Sequence, residues 1–338
     1  MSMRGTLKHV DTQTPSVRPR RLRRTPQLRA LVRETSLRPA QLVAPLFITT
    51  GTGRREPIAS MPGQERLSVD LALERCREMA AAGVGGVLLF GVPEGKDAEG
   101  SGAADPLGPV PTALRALREA GLPLALIADV CLCEYTSHGH CGLLSGDEVD
   151  NDSTLPRLAE AAVTYAAAGA DIVAPSAMMD GQVAALREGL DAYGHTTTAV
   201  MAYASKAASS LYGPFREAAG STPSFGDRRG YQMDYANARE ALREMEIDAE
   251  EGADILMVKP ALTSLDLLAE ARGRFDLPLA AYHVSGEAAM IEAAAANGWI
   301  DRRGVAIESL TAIARAGATV IITYFALDAA RWLAEEQR

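Results

Sequence analysis

The chain has 338 residues, 47% hydrophobic and 23% charged, with a formal net charge of −9. That composition suits a soluble globular protein with a substantial core, excludes disordered and membrane classes, and argues against nucleic acid as a general partner. The length fits two ordinary domains or one α/β barrel, which commonly takes about 250 residues plus insertions.

The first forty residues run against the overall charge, with Arg18, Arg20, Arg21, Arg23, Arg24, Arg29 and Arg33. A basic arm on an acidic body can dock on a neighbouring subunit, and a solvated tail is the alternative for residues 1–20. Asp11 and Glu34 interrupt any transit-peptide pattern. No stretch reaches the roughly 18 apolar residues of a membrane span and no signal-peptide core follows the start, so a cytoplasmic location is expected. A short helix is expected from Thr25 to Thr35, followed by a first strand at Leu42–Ile48.

From there the pattern repeats. Residues 67–82 have apolar residues at helical spacing, end at Gly83 and lead into Val87–Phe90. Leu114–Ala120 leads into Leu122–Ala128, and Leu155–Ala168 into Asp171–Pro175. The junctions at Gly169-Ala170-Asp171, Gly252-Ala253-Asp254 and Gly317-Ala318-Thr319 each put glycine where a helix needs a left-handed terminator. Apolar runs near 43–49, 84–92, 122–130, 171–176, 198–204, 254–258, 278–284 and 319–325 give eight strands alternating with helices. This order predicts a (β/α)8 TIM barrel over residues 41–338 behind an N-terminal arm at 1–40. A doubly wound open sheet is the alternative, but no Gly-rich phosphate loop follows the first strand. The irregular stretches at 93–111, 131–153 and 207–233 all follow strands, where such barrels build their active face.

Four lysines stand against thirty arginines. Two of the four, Lys206 and Lys259, close apolar runs at the ends of the fifth and sixth strands. A guanidinium cannot condense with a ketone, whereas a desolvated amine can, so the pair points to carbonyl chemistry through Schiff bases. A strand-end lysine reaching solvent is the plainer reading of either alone.

Cys131, Cys133 and Cys141 fall within eleven residues, while Cys76 lies on the apolar face of a helix. The first two thiols share one side of an extended strand, and a loop containing Gly139 can return Cys141 to them. Three thiolates would favour zinc with an open fourth position; ordinary reduced cysteines or a redox pair are the alternatives. Asp129 shares their face, and His138 and His140 can be ligands, bases or loop residues. The segment through Phe215, Arg216, Arg228 and Gln232 reads as a lid or as a plain Arg-rich loop. Ser176, Ser285 and Tyr324 end strands, where they can bind substrate or satisfy backbone.

Together, Asp129-Val130-Cys131-Leu132-Cys133, Thr136–Gly142, Tyr212-Gly213-Pro214-Phe215-Arg216, Met257-Val258-Lys259-Pro260 and Val284-Ser285-Gly286-Glu287 resemble the porphobilinogen synthases, or 5-aminolevulinate dehydratases, in motif and order over residues 20–331. The resemblance implies condensation of two 5-aminolevulinate molecules to porphobilinogen in tetrapyrrole (haem) synthesis, with Lys259 and Lys206 each holding a substrate as a Schiff base. It implies Asp129 as proton acceptor and substrate contacts from Arg216, Arg228, Ser285, Tyr324, Phe215, Gln232 and Ser176. It implies zinc on Cys131, Cys133 and Cys141, allosteric magnesium at Glu244, and a homo-octamer embraced by the arm. The chain departs from the family at Ala177, where Asp is frequent, at His283 for Gln, and at Ala288 for an aromatic residue. Other readings are a class I aldolase-like barrel, which needs one lysine and no thiolate metal, and an inactive zinc-binding scaffold.

Overall fold

The computed structural model describes residues 17–336 and divides into two compact units, one ending at Ser36 and one beginning at Leu37. In the first, a 3-10 turn at Pro19–Arg23 precedes a helix at Pro26–Leu31. The Thr25 hydroxyl caps this helix by accepting from the Leu28 N–H at 3.2 Å. The helix stops at Leu31, short of the expected Thr35, and residues 1–16 of the expected arm lie outside the described residues.

The second unit is a closed parallel barrel. Its strands are β1 (Leu42–Thr49), β2 (Gly86–Val92), β3 (Ala125–Val130), β4 (Ile172–Pro175), β5 (Ala199–Lys206), β6 (Ile255–Lys259), β7 (Leu279–His283) and β8 (Val320–Thr323). Neighbours in the chain pair in parallel, and β8 closes on β1 through Leu42↔Ile321 and Val43↔Ile322. The principal outer helices are α1 (Val69–Ala81), α2 (Pro109–Glu119), α3 (Asn151–Ala167), α4 (Gln182–Ala192), α5 (Ala238–Glu250), α6 (Leu265–Arg274), α7 (Arg302–Ala316) and α8 (Ala326–Glu336). Two helices begin before the apolar periodicity shows them. α2 starts on Pro109, whose missing N–H costs nothing in a first turn, and α3 starts behind Asp150, which caps the Ser153 N–H.

The repeated junctions have a common geometry. Gly169, Gly252 and Gly317 take φ of 108°, 101° and 139°. The next aspartates then bind back to the preceding strand: Asp171 Oδ2 accepts from Leu126 N at 2.9 Å, and Asp254 Oδ2 from Val200 N at 2.8 Å. Each carboxylate satisfies a strand-start N–H that the ladder leaves open.

Two hairpins were not foreseen, a short one pairing Leu144–Ser145 with Glu148–Val149 and a larger one beside the barrel. Arg55–Pro57 pairs antiparallel with Glu65–Ser68, and Glu65–Ser68 pairs in parallel with the end of β1. It borders β1 beyond the residues that pair with β8.

Inside the barrel, alternation along the strands stacks an apolar layer, including Leu88, Ile127, Ala174, Met201, Met257, Ala280 and Ile322, below the mouth. Two residues further on, most strands present Phe90, Asp129, Ser176, Lys259, Tyr282 and Tyr324. β5 presents Tyr203 by the same rule, but its ladder with β6 then shifts register, so Leu256 faces Ala202 whereas Val258 faces Ser205. The extra residue turns Lys206, three positions after Tyr203, back to the inner wall. Cys76 is fully buried on α1, in the core as expected.

Candidate active site

Lys206 and Lys259 are register partners at the ends of β5 and β6, and each is only 5% exposed. The Lys259 ammonium is walled by aromatic rings, its Nζ 4.3 Å from the Tyr282 centroid, 5.0 Å from Tyr203, 5.1 Å from Tyr212 and 5.2 Å from Phe215. Burial pushes the Lys259 amine down to about 7; the neighbouring Lys206 adds to this, and Asp129 opposes it. Lys206 donates to the Ser176 carbonyl.

Asp129 is buried, with Oδ2 accepting from the Ser176 hydroxyl at 2.9 Å and Oδ1 without a partner. Burial raises its pKa, against the pull of both lysines. Tyr282 and Tyr324 join hydroxyls at 3.1 Å across the mouth.

The three cysteine sulfurs lie within 4.8 Å of one another, all buried, with Cys131 Sγ 3.4 Å from Cys133 Sγ. Tetrahedral zinc with bonds near 2.3 Å would hold such sulfurs roughly 3.8 Å apart, so the cluster fits the ion with little rearrangement. The Cys141 thiol is held well below its ordinary pKa by its two sister thiols, with the charges of Arg228 and Lys206 assisting. Thiolate donors of this kind suit zinc. His138 and His140 are engaged elsewhere. His138 meets the Ala98 carbonyl at 3.2 Å, and His140 meets the Tyr231 hydroxyl and the Phe225 carbonyl, both at 3.1 Å.

The two His140 contacts belong to the long segment after β5. Residues 207–233 cross the mouth as a 3-10 turn at Ser210–Tyr212, a helix at Gly213–Ala218 and an irregular return that bridges Met233 to Ala207. Phe215 packs on Phe90 and Phe47, with centroids 5.0 and 5.7 Å away. Ser285 accepts from the Phe215 N–H at 3.1 Å. Arg228 is buried and spends one nitrogen on the Gly139 and Ser221 carbonyls, at 3.0 and 2.6 Å. Gly139 is required by this seat: it has φ 73°, and a Cβ there would stand 2.5 Å from the Thr222 carbonyl oxygen. Arg216 Nε, Arg228 Nε and both amide atoms of buried Gln232 have no hydrogen-bond partner. These are donors and acceptors a polar ligand can satisfy.

Glu244 stands apart from the mouth, half-buried on α5, in a cavity of about 660 Å³ that Asp180, Glu240, Asp248, Glu251 and Gln232 also line. Burial raises its pKa, with Asp180 and Glu240 adding. Among the described residues, the cysteines form the one group of three ligand atoms close enough to share an ion.

Of the departures, Ala177 is buried and brings no acid to the end of β4, so the acid beside Ser176 is Asp129 from β3. His283 bonds Thr323 at 3.2 Å and packs on Phe325, and Ala288 packs in the same apolar cluster as Phe325.

Sequence reasoning missed Tyr203 and Glu134 and gave Tyr212 and Tyr282 no role. Tyr203 and Tyr282 sit at inward strand positions that alternation can find. Glu134 is 2% exposed; its Oε2 lies 3.3 Å from Cys133 Sγ, and burial pushes its carboxyl up to about 7, with the Asp129 charge adding. No local pattern marks it.

A model of the delta-aminolevulinic acid dehydratase family matches residues 16–332. Delta-aminolevulinic acid dehydratase of Synechococcus elongatus is 53% identical over 324 residues, covering 95% of this chain and 99% of the relative. The Mycobacterium tuberculosis protein of that name is 54% identical over 323 residues, covering 94% and 98%. A crystal structure of delta-aminolevulinic acid dehydratase (porphobilinogen synthase) from Toxoplasma gondii, in complex with the reaction product porphobilinogen, superposes with a TM-score of 0.93 at 45% identity, covering 95% of this chain and 93% of that one.

Proposed function

The chain belongs to the delta-aminolevulinic acid dehydratase family, and from that premise we propose that its barrel mouth condenses two 5-aminolevulinate molecules to porphobilinogen through Schiff bases on Lys259 and Lys206, assisted by zinc. It is a lyase of tetrapyrrole synthesis. The observation that carries the two-lysine mechanism is the register pairing of two buried amines beside three converging thiols. Two ketone substrates need two amines, whereas a one-lysine aldolase leaves Lys206 without a task.

Lys259, neutral through much of its population near pH 7, attacks the ketone of one substrate and releases water as the iminium forms. Lys206 does the same for the other. The aromatic wall around Lys259 shelters its iminium from hydrolysis. Asp129, with Oδ1 free, accepts a substrate proton during ring closure. Arg216 and Arg228 offer their unpartnered Nε, and Gln232 its amide Nε2, to substrate carboxylates, with Ser285 and Tyr324 completing the polar rim and Phe215 and Ser176 bounding it. Cys131, Cys133 and Cys141 would hold zinc, which would supply Lewis-acid chemistry to the substrate amine or to water.

Beyond the mouth, we assign Glu244 and its acidic neighbours to an allosteric magnesium, residues 1–40 to an arm that assembles a homo-octamer, and the reduced thiols to a cytoplasmic setting. Among the described residues, no helix is long and apolar enough to cross a membrane. Sedimentation of full-length and arm-deleted chains tests the octamer, and titration of magnesium into Glu244→Ala tests that site.

The direct test incubates the protein with 5-aminolevulinate, zinc and a thiol reductant and follows porphobilinogen by its colour reaction. Borohydride should trap substrate on Lys259, and Lys259→Ala should lose both trapping and product. Product formation undiminished in Lys259→Ala would overturn the assignment.

A further inference from the structure

We propose that Arg66 and Lys96 are positioning residues that latch the lid helix Gly213–Ala218 over Lys259 by holding the carbonyls at and just beyond its C-terminus. The helix has six residues, too few to persist alone, yet it carries Phe215 and Arg216. Its last carbonyls bear the negative end of its dipole. Although the Ala219, Ser221 and Gly220 N–H groups reach the carbonyls of Phe215, Arg216 and Glu217, the Ala218 oxygen has no backbone donor among the described residues. Two cations from separate parts of the barrel meet this end: Arg66 takes two helix carbonyls, and Lys96 takes one just past the helix. Arg66, on the unforeseen strand Glu65–Ser68, donates Nε to the Ala218 oxygen at 2.7 Å and Nη2 to the Glu217 oxygen at 2.5 Å. Lys96, in the loop after β2, donates Nζ to the Gly220 oxygen at 2.6 Å.

The fit at Gly220 is close: the residue has φ 58°, and a Cβ there would stand 3.4 Å from Lys96 Nζ. The compact ammonium of Lys96, one of only four in the chain, sits where a guanidinium would need more room. At the other end, Ser285 takes the Phe215 N–H, so the helix is tied on both sides of the aromatic ring that faces Lys259. The loop carrying Lys96 also pairs with the cysteine loop, where Asp97 N donates to Tyr135 O at 3.3 Å and Ser137 N to Asp97 O at 2.7 Å. Lys96 thus ties the lid to the loop that bears the thiols.

The catalytic part of the latch rests on the reading of Lys259 as the substrate-holding lysine; the conformational part does not. The test measures hydrogen exchange in the substrate-free full-length chain for wild type, Lys96→Met, Arg66→Met and Lys96→Arg. Losing a charge-assisted bond should speed exchange of amides 213–224 about tenfold in the methionine variants and leave the β1–β8 amides unchanged. With 5-aminolevulinate, KM should rise about tenfold while borohydride trapping on Lys259 at saturation stays complete, and Lys96→Arg should recover part of both losses. Unchanged lid exchange, or acceleration spread evenly over the barrel, overturns the latch. If wild type makes no porphobilinogen, the assigned reaction fails, and the exchange result still decides the latch.

Discussion

Lys206 and Lys259 face each other across the β5–β6 ladder as direct register partners, although strict alternation from Tyr203 would turn Lys206 outward. The irregularity in β5 therefore places the second amine beside the first. Their proximity and burial leave Lys259 partly neutral near pH 7.

The pH dependence of substrate capture follows from that pair. The rate of borohydride trapping on Lys259 should rise with pH through an acid limb near 7, as the ammonium gives way to the nucleophilic amine. Lys206→Met removes the neighbouring positive charge and leaves Asp129, Cys133 and Glu134 pulling unopposed by it, so the limb should move to higher pH. A limb unmoved by that substitution would show that Lys206 is not depressing Lys259.

Metal loading should depend on all three thiols. Wild type should retain about one equivalent of zinc per chain after gel filtration, and Cys141→Ser should retain little, because three converging thiolates are replaced by two. Cobalt substitution gives a second readout, with strong thiolate-to-metal absorption in wild type and a weakened band in the variant. Full zinc content in Cys141→Ser would remove that thiol from the ligand set.

Asp248, buried on α5, should make stability depend on pH. Burial, then the charges of Glu251 and Glu244, push its carboxyl up to about 8. Between its ordinary value near 4 and 8, the folded chain holds a proton that the unfolded chain has released, so this group's contribution falls as pH rises through that window. Asp248→Asn should therefore exceed wild type in stability at pH 9 by on the order of a few kcal/mol, and the gap should shrink at pH 5. Denaturant melts in chelator at the two pH values measure it; an equal gap at both refutes it.

Gly286 should tolerate no side chain while the lid is seated. A Cβ there would stand 2.5 Å from the Leu211 carbonyl oxygen, a backbone atom that cannot swing aside. Gly286→Ala should cost about 1–3 kcal/mol of lid closure, read as faster exchange at 210–218 and a raised KM. Wild-type exchange there would mean the segment shifts freely.

How much of this was written locally differs from residue to residue. The eight strands were legible because each is an apolar run ended by glycine, proline or polar residues, and the Gly-Ala-Asp junctions announced the repeat. Helix starts at Pro109 and Asn151 were not, since a first turn is recognised by capping and not by periodicity. The lysine pair and the cysteine triad were visible as rare residue types in unusual places. Arg66 and Lys96 were invisible, because their meaning comes from partners far along the chain, and Glu134 was invisible because its meaning comes from burial.

By itself, then, the sequence determined the barrel and the chemical inventory of its mouth, because strand alternation and residue type are local properties. Only the tertiary structure decided which groups meet. The β5 irregularity turned Lys206 inward. Pairing of β3 with β4 set Asp129 against Ser176, and the loop after β3 gathered three sulfurs. The lid's seat on His140, Gly139 and Arg66 came from contacts between residues up to about 150 positions apart. Such contacts are fixed by packing the whole chain, and no window of sequence contains them.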